Sequence, residues 1–198
     1  MKKFFKNIGR AIVKSAIWLY CKVVFWFTVE GKENIPKTGP VIICGNHRTL
    51  LDGPLIMVSC TRFPRFLAKA ELKNSKFLKA LGKLFDIIFV SYNAKDIEVL
   101  KEALKTLKNG NCLALFPEGT RNGLAKGTKV RDGAAFFAVR TGALVVPCGI
   151  KGGVKGDWKA KVVYGKPLDF SQYKGSKNKE VLDKVTEKIM NSIIELTK

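Results

Sequence analysis

Two periods run along this chain. Apolar residues recur three or four positions apart at Ile97, Leu100, Leu104 and Leu107, and again at Val185, Ile189 and Ile193, which places each set on one face of an α-helix. The spacing predicts a helix over 96–108, capped by Asp96 and stopped by Gly110, and a final amphipathic helix over 181–196. Shorter helices are predicted over 54–60, 75–85 and 132–141, the last ended by Gly142. Between them lie short runs that are apolar throughout, at 41–44, 87–90, 112–116 and 144–146, the last closed by Pro147. Runs of this length rich in β-branched residues read as strands buried on both faces. Residues 65–69 read as a further strand, and 159–164, where Lys and Ala alternate with Val, as an edge strand. Strands alternating with helices predict an α/β fold, and the irregular early connections predict a mixed sheet flanked by helices.

The first 29 residues depart from this pattern. Phe5, Ile8, Ile12, Ala16, Leu19, Val23 and Trp26 fall on one helical stripe, with Lys3, Lys6, Arg10 and Lys14 largely opposite. From Ile17 onward the segment is apolar nearly all round, yet Lys14 and Lys22 interrupt every run before it reaches spanning length. No small-residue cleavage site follows, which argues against a signal peptide. The expectation is an N-terminal membrane-associating helical element, residues 1–28, lying in a lipid interface ahead of an α/β domain at 29–198. A plain packing helix is the alternative.

Composition adds a partner class. Lys plus Arg number 36 against 16 Asp plus Glu, a formal charge of +20, which favours an anionic membrane surface, a nucleic acid or a phosphorylated substrate. The lysines are spread over every element and match no nucleic-acid reader motif, so no nucleic-acid partner is expected. Five cysteines, odd in number and widely spaced in apolar runs, read as buried free thiols in a reducing compartment. With one histidine, they make no metal site.

That histidine, His47, follows the strand at 41–44 and stands five residues before Asp52, where Asp52-Gly53-Pro54 reads as a helix start. Five residues on a straight helix lie about 140° apart, so the two side chains meet only if a turn folds Asp52 back. A proton-transferring His–carboxylate pair and a polar loop with a capping Asp both fit this spacing.

A second block narrows the choice. Asn46-His47, four residues and Asp52 are followed downstream by Phe116-Pro117-Glu118-Gly119-Thr120-Arg121, each block after a predicted buried strand. The pair resembles the 1-acylglycerol-3-phosphate acyltransferases and, more widely, the glycerolipid acyltransferase family. Phe66-Leu67-Ala68-Lys69-Ala70-Glu71-Leu72, Ile88-Phe89-Val90 and Val146-Pro147-Cys148-Gly149-Ile150 look like further blocks of that family, over roughly residues 29–167. The N-terminal segment looks like its membrane-associating two-helix element. Two positions differ: Tyr92 stands where such enzymes usually carry an Arg, and Arg131-Asp132-Gly133 is the nearest equivalent of a Lys-x-Gly triplet.

The resemblance implies transfer of a fatty acyl group to the sn-2 hydroxyl of 1-acyl-glycerol 3-phosphate. The donor is acyl-coenzyme A or acyl carrier protein, a co-substrate, with no resident cofactor. It implies that His47 is the general base and Asp52 its orienter. Arg121 would grip the acceptor phosphate, with hydrogen bonds from the backbone around Gly119 and from the Thr120 hydroxyl, and with Lys69 and Arg131 as further cations. Glu118 would bind a glycerol hydroxyl or position Arg121, unless it is a turn-fixing ion pair. The expected location is peripheral, on the cytoplasmic face of the cell membrane. Glycerol 3-phosphate or another lysophospholipid as acceptor, and a noncatalytic lipid-binding protein, are the competing readings.

Overall fold

The computed structural model describes residues 2–91, 97–123, 126–154 and 156–198, with side chains from residue 4 onward. Tyr92 and the predicted cap Asp96 lie outside the described residues, as does the side chain of Lys3. In chain order the elements are α1 (Lys2–Phe25), β1 (Thr28–Glu30), β2 (Val41–Gly45), α2 (Asp52–Ser59), β3 (Pro64–Lys69), α3 (Lys76–Leu84), β4 (Ile88–Val90), α4 (Ile97–Lys108), β5 (Cys112–Leu115), α5 (Gly133–Thr141), β6 (Leu144–Lys151), β7 (Lys161–Tyr164) and α6 (Lys179–Leu196).

The strands form one mixed sheet in the order β1-β7-β6-β2-β5-β3-β4. Five of them, β6, β2, β5, β3 and β4, run parallel, while β7 is antiparallel to β6 and carries β1 parallel beside it. Side chains alternate across the pleat, so the all-apolar strands feed two cores. Val41, Ile43, Cys112, Ala114 and Val146 face α1, α2 and α3. Ile42, Cys44, Leu113, Leu115 and Val145 face α4, α5 and α6. All five cysteines are buried and free.

Three expectations are corrected. The strand at 144–146 does not close at Pro147 but runs on to Lys151. Val145 donates its N–H to Leu168 on the β7 side, so the imino nitrogen of Pro147, two residues on, faces the same side and leaves the β2 ladder intact. Nor do the described residues hold an N-terminal two-helix element: one helix ends at Phe25, Trp26 takes a left-handed φ of 46°, and Phe27 drops fully buried into the core. Residues 28 and 29, on either side of the expected boundary, are the first two residues of β1. Finally, β1 itself escaped the pattern, because three residues of mixed polarity carry no period.

The pattern of α1 left open which of its faces meets the protein. The face carrying Lys6, Arg10 and Lys14 is turned toward the protein. Lys6 and Arg10 both pair with Asp86, Arg10 also donates to the Leu84 carbonyl at 2.7 Å and lies 4.4 Å from the Phe63 ring, and Lys14 reaches the Cys60 carbonyl at 3.1 Å. The apolar stripe, from Phe5 and Ile8 to Val23 and Trp26, is left exposed. Among the described residues no helix is long and apolar enough to cross a membrane.

Candidate active site

Chemistry-bearing side chains collect where the parallel strands end. His47 follows β2, Lys69 closes β3, and Phe116 to Arg121 follow β5, so the topology brings three separated blocks to the carboxyl edge of the sheet, where open α/β sheets hold ligands.

The histidine is fixed from every side but one. Asn46, buried at the end of β2, bridges to β6 twice: its Nδ2 donates to the Ile150 carbonyl at 3.0 Å and its Oδ1 accepts the Ile150 N–H at 2.7 Å. This double bond pins the backbone from which His47 departs. Glu118, only 3% exposed, accepts the His47 N–H at 2.8 Å through Oε1. Asn122 N–H donates to the His47 carbonyl at 2.6 Å. Phe116 stacks on the imidazole with ring centroids 4.2 Å apart and planes 14° from parallel. Gly45 makes room for that stack, since a Cβ there would stand 3.3 Å from the Phe116 ring and 3.0 Å from Ile56.

Asp52 folds back as the spacing requires, although not as a helix cap. Its Oδ2 accepts His47 Nδ1 at 2.8 Å together with the Arg48 and Thr49 amides, and Thr49 Oγ1 donates to Oδ1. Asp52 is the first residue of α2, with Leu51 at the capping position, so its carboxylate closes the preceding turn rather than the helix end. A carboxylate collecting N–H donors is an acceptor, which places the proton of neutral imidazole on Nδ1 and the basic lone pair on Nε2. Asp52 is 2% exposed and the His47 side chain 22% exposed, so the carboxylate is sealed while the ring reaches solvent.

The ring lines a cavity of about 670 Å³, and the same cavity is lined by Lys69, Gly119, Thr120, Arg121 and Arg131. Of the eight residues predicted for the site, six therefore share one chamber, and Asp52 and Glu118 support it from behind. Gly119 has φ 64°, and a Cβ on it would sit 2.4 Å from Arg131 Nε, so the glycine lets the Arg131 side chain pass over the turn. The rest of the lining is apolar, with Leu50, Met57, Phe66, Leu78, Leu81 and Phe137 among it. The lining is thus mostly greasy with three cations among it, which fits an amphiphile with a phosphate head. Glu118, expected to bind a glycerol hydroxyl or position Arg121, also holds the histidine backbone through Oε1. Asn46 and Phe116 lie in the two blocks that carry the resemblance, but sequence reasoning assigned neither a role, because both act through contacts made only in the fold. Among the described residues no group of three or more His, Cys, Asp or Glu could hold a metal ion.

Comparison with known proteins gives three kinds of match. A family model described as Acyltransferase matches residues 26–151. A 1-acyl-sn-glycerol-3-phosphate acyltransferase of Borreliella burgdorferi is 34% identical over 142 residues, which is 70% of this chain and 55% of that protein. The Bacillus subtilis protein of the same name is 27% identical over 85% of this chain and 86% of its own length. The chain spans about half of the first relative and most of the second. Among solved structures, the 1-acyl-sn-glycerophosphate (LPA) acyltransferase PlsC of Thermotoga maritima matches with a TM-score of 0.69 and 31% identity, covering 96% of this chain and 82% of that one.

Proposed function

The chain belongs to the acyltransferase family, and from that premise we propose that it transfers a fatty acyl group from a thioester donor to the sn-2 hydroxyl of 1-acyl-glycerol 3-phosphate, giving phosphatidic acid. Relatives and a solved structure bearing that activity in their names support the reading. The observation that carries it is the His47–Asp52 pair, with Nδ1 held at 2.8 Å and the ring lining a largely apolar cavity that Lys69, Arg121 and Arg131 also line.

The steps follow from that arrangement. The acceptor hydroxyl gives its proton to His47 Nε2 as its oxygen attacks the thioester carbonyl. The resulting imidazolium is stabilised by the sealed Asp52 carboxylate. When the tetrahedral intermediate collapses, the C–S bond breaks, the ester remains, and the thiolate takes back the proton from His47. General-base assistance of this kind is worth about 10²- to 10⁴-fold. Arg121, which can meet two phosphate oxygens at once, holds the acceptor head with Lys69 and Arg131 near it. Glu118 acts through the His47 amide. The donor, acyl-coenzyme A or acyl carrier protein, carries its own leaving thiol, so the proposed chemistry needs no resident cofactor.

The amphiphilic acceptor gives α1 a purpose. Its exposed apolar face, capped by Trp26 at 70% exposure, is proposed to lie in the bilayer interface and hold the cavity at the depth where the substrate resides. We place the protein peripherally on the cytoplasmic face of an anionic membrane. The test is purified chain with lysophosphatidic acid and each donor in turn, followed for free thiol and phosphatidic acid. Arg121→Lys should raise the Michaelis constant for lysophosphatidic acid and leave the turnover number nearly unchanged, since Lys keeps the charge and loses the fork. A collapsed turnover number with an unchanged constant would move Arg121 to the reacting centre.

A further inference from the structure

An interfacial helix normally turns its basic face to the headgroups, and α1 does not. Lys6, Arg10 and Lys14 are committed inward to Asp86, Leu84 and Cys60. Among the α1 cations whose side chains are described, Lys22 alone is left exposed toward lipid, and a denser set of exposed lysines stands on another element.

The geometry points to α3. Lys76, Lys79 and Lys83 recur at helical spacing on its exposed face, while Leu78, Leu81 and Leu84 turn inward to line the cavity or pack on the core. Phe77, beside this basic face, is 70% exposed. It lies on the stripe that continues through Leu81 and Leu84, and Leu84 meets α1 at Gly9, where a Cβ would stand 3.4 Å from Leu84 Cδ1. The exposed ring therefore stands on the same flank of α3 as Leu84, the residue that meets α1. We infer that α3 is a second membrane-contact surface, in which its lysines select anionic headgroups and Phe77 inserts beside α1, so that charge recognition and apolar anchoring reside on different helices. This rests on reading α1 as an interfacial helix. An acidic protein partner would meet the lysines equally well, but an exposed phenylalanine on the α3 flank that leads to α1 favours lipid.

The test uses the whole chain and vesicles of phosphatidylcholine with or without a minority of phosphatidylglycerol, with no acyl donor or acceptor present, so an inactive chain reports as well as an active one. A polybasic surface gains roughly fivefold in binding per lysine near an anionic leaflet. Replacing Lys76, Lys79 and Lys83 together by Gln should thus weaken binding to phosphatidylglycerol vesicles by about 10²-fold while hardly altering binding to neutral ones. Phe77→Ser should weaken both. Turnover on a short-chain, water-soluble acceptor should stay at the wild-type level in both variants, which reports an intact fold. Undiminished preference of the triple variant for anionic vesicles would overturn the inference. So would unchanged vesicle binding with a defect confined to acyl carrier protein as donor, which would make the face a protein-docking site.

Discussion

Helices α1 and α6 carry the same kind of pattern and use it in opposite senses. Along α6, Val185, Ile189, Met190 and Ile193 are buried against the sheet while the charged residues between them face outward. Along α1 the apolar stripe faces outward while Lys6, Arg10 and Lys14 face the protein. A hydrophobic period states that a helix has two faces. Which face meets the protein is decided by what the neighbours offer. For α6 they offer an apolar sheet face, and for much of α1 they offer carbonyls and the Asp86 carboxylate, with apolar contact from Val13, Ile17, Cys21, Val24 and Phe25 along its inner edge.

Breaking the two faces separates them most sharply. Ile189→Ala in α6 should cost about 2–5 kcal/mol of folding stability, because it opens a hole in a closed core. Ile12→Ala on the outward stripe of α1 should stay within about 0.5 kcal/mol of wild type by denaturant unfolding, as for exposed positions generally. Its effect should instead appear as weaker binding to neutral vesicles. Equal destabilisation by the two substitutions would mean that the α1 stripe is covered by protein.

Weakening the α1 attachment is a smaller perturbation. Asp86→Asn leaves Lys6 and Arg10 without their shared carboxylate, and partly exposed pairs of this kind are worth about 0.2–1 kcal/mol each. Faster amide exchange along α1, with α6 unaffected, is the expected signature. Smaller still is the effect of acid. Burial acts to raise the Asp86 pKa, but the hydrogen bonds and charges of Lys6 and Arg10 outweigh it and hold the carboxyl below its usual range. The folded pKa lies below the unfolded one of about 3.9, so this attachment is fully present above that pH and is lost as pH falls through the folded value. Exchange along α1 should therefore accelerate in strong acid and be flat from mildly acidic to neutral pH.

The same contrast explains what the sequence made legible. Residues 41–44, 112–116 and 144–146 were readable as strands because they are apolar without interruption, and the long helices because their periods are clean. The site blocks were readable because chain order and residue type coincided twice, at His47 to Asp52 and at Phe116 to Arg121. What escaped depends on contacts between distant parts of the chain. Asn46 looks like any polar residue after a strand until Ile150 is brought beside it by β6. Glu118 resembles a substrate ligand until its burial against the His47 amide is seen. Pro147 resembles a strand terminator because only the neighbouring strand reveals which way its missing N–H points. The side of α1 that faces the core belongs to the same class.

The central claim is that His47 acts as a general base held by Asp52. It is tested most directly by comparing wild type and His47→Ala with lysophosphatidic acid and an acyl thioester, monitoring phosphatidic acid together with the unfolding midpoint and vesicle binding. The account predicts at least a hundredfold loss of turnover, the lower end of the range of about 10²- to 10⁴-fold for general-base assistance, with folding and binding close to wild type. A variant retaining more than about a tenth of the wild-type rate would contradict the assignment.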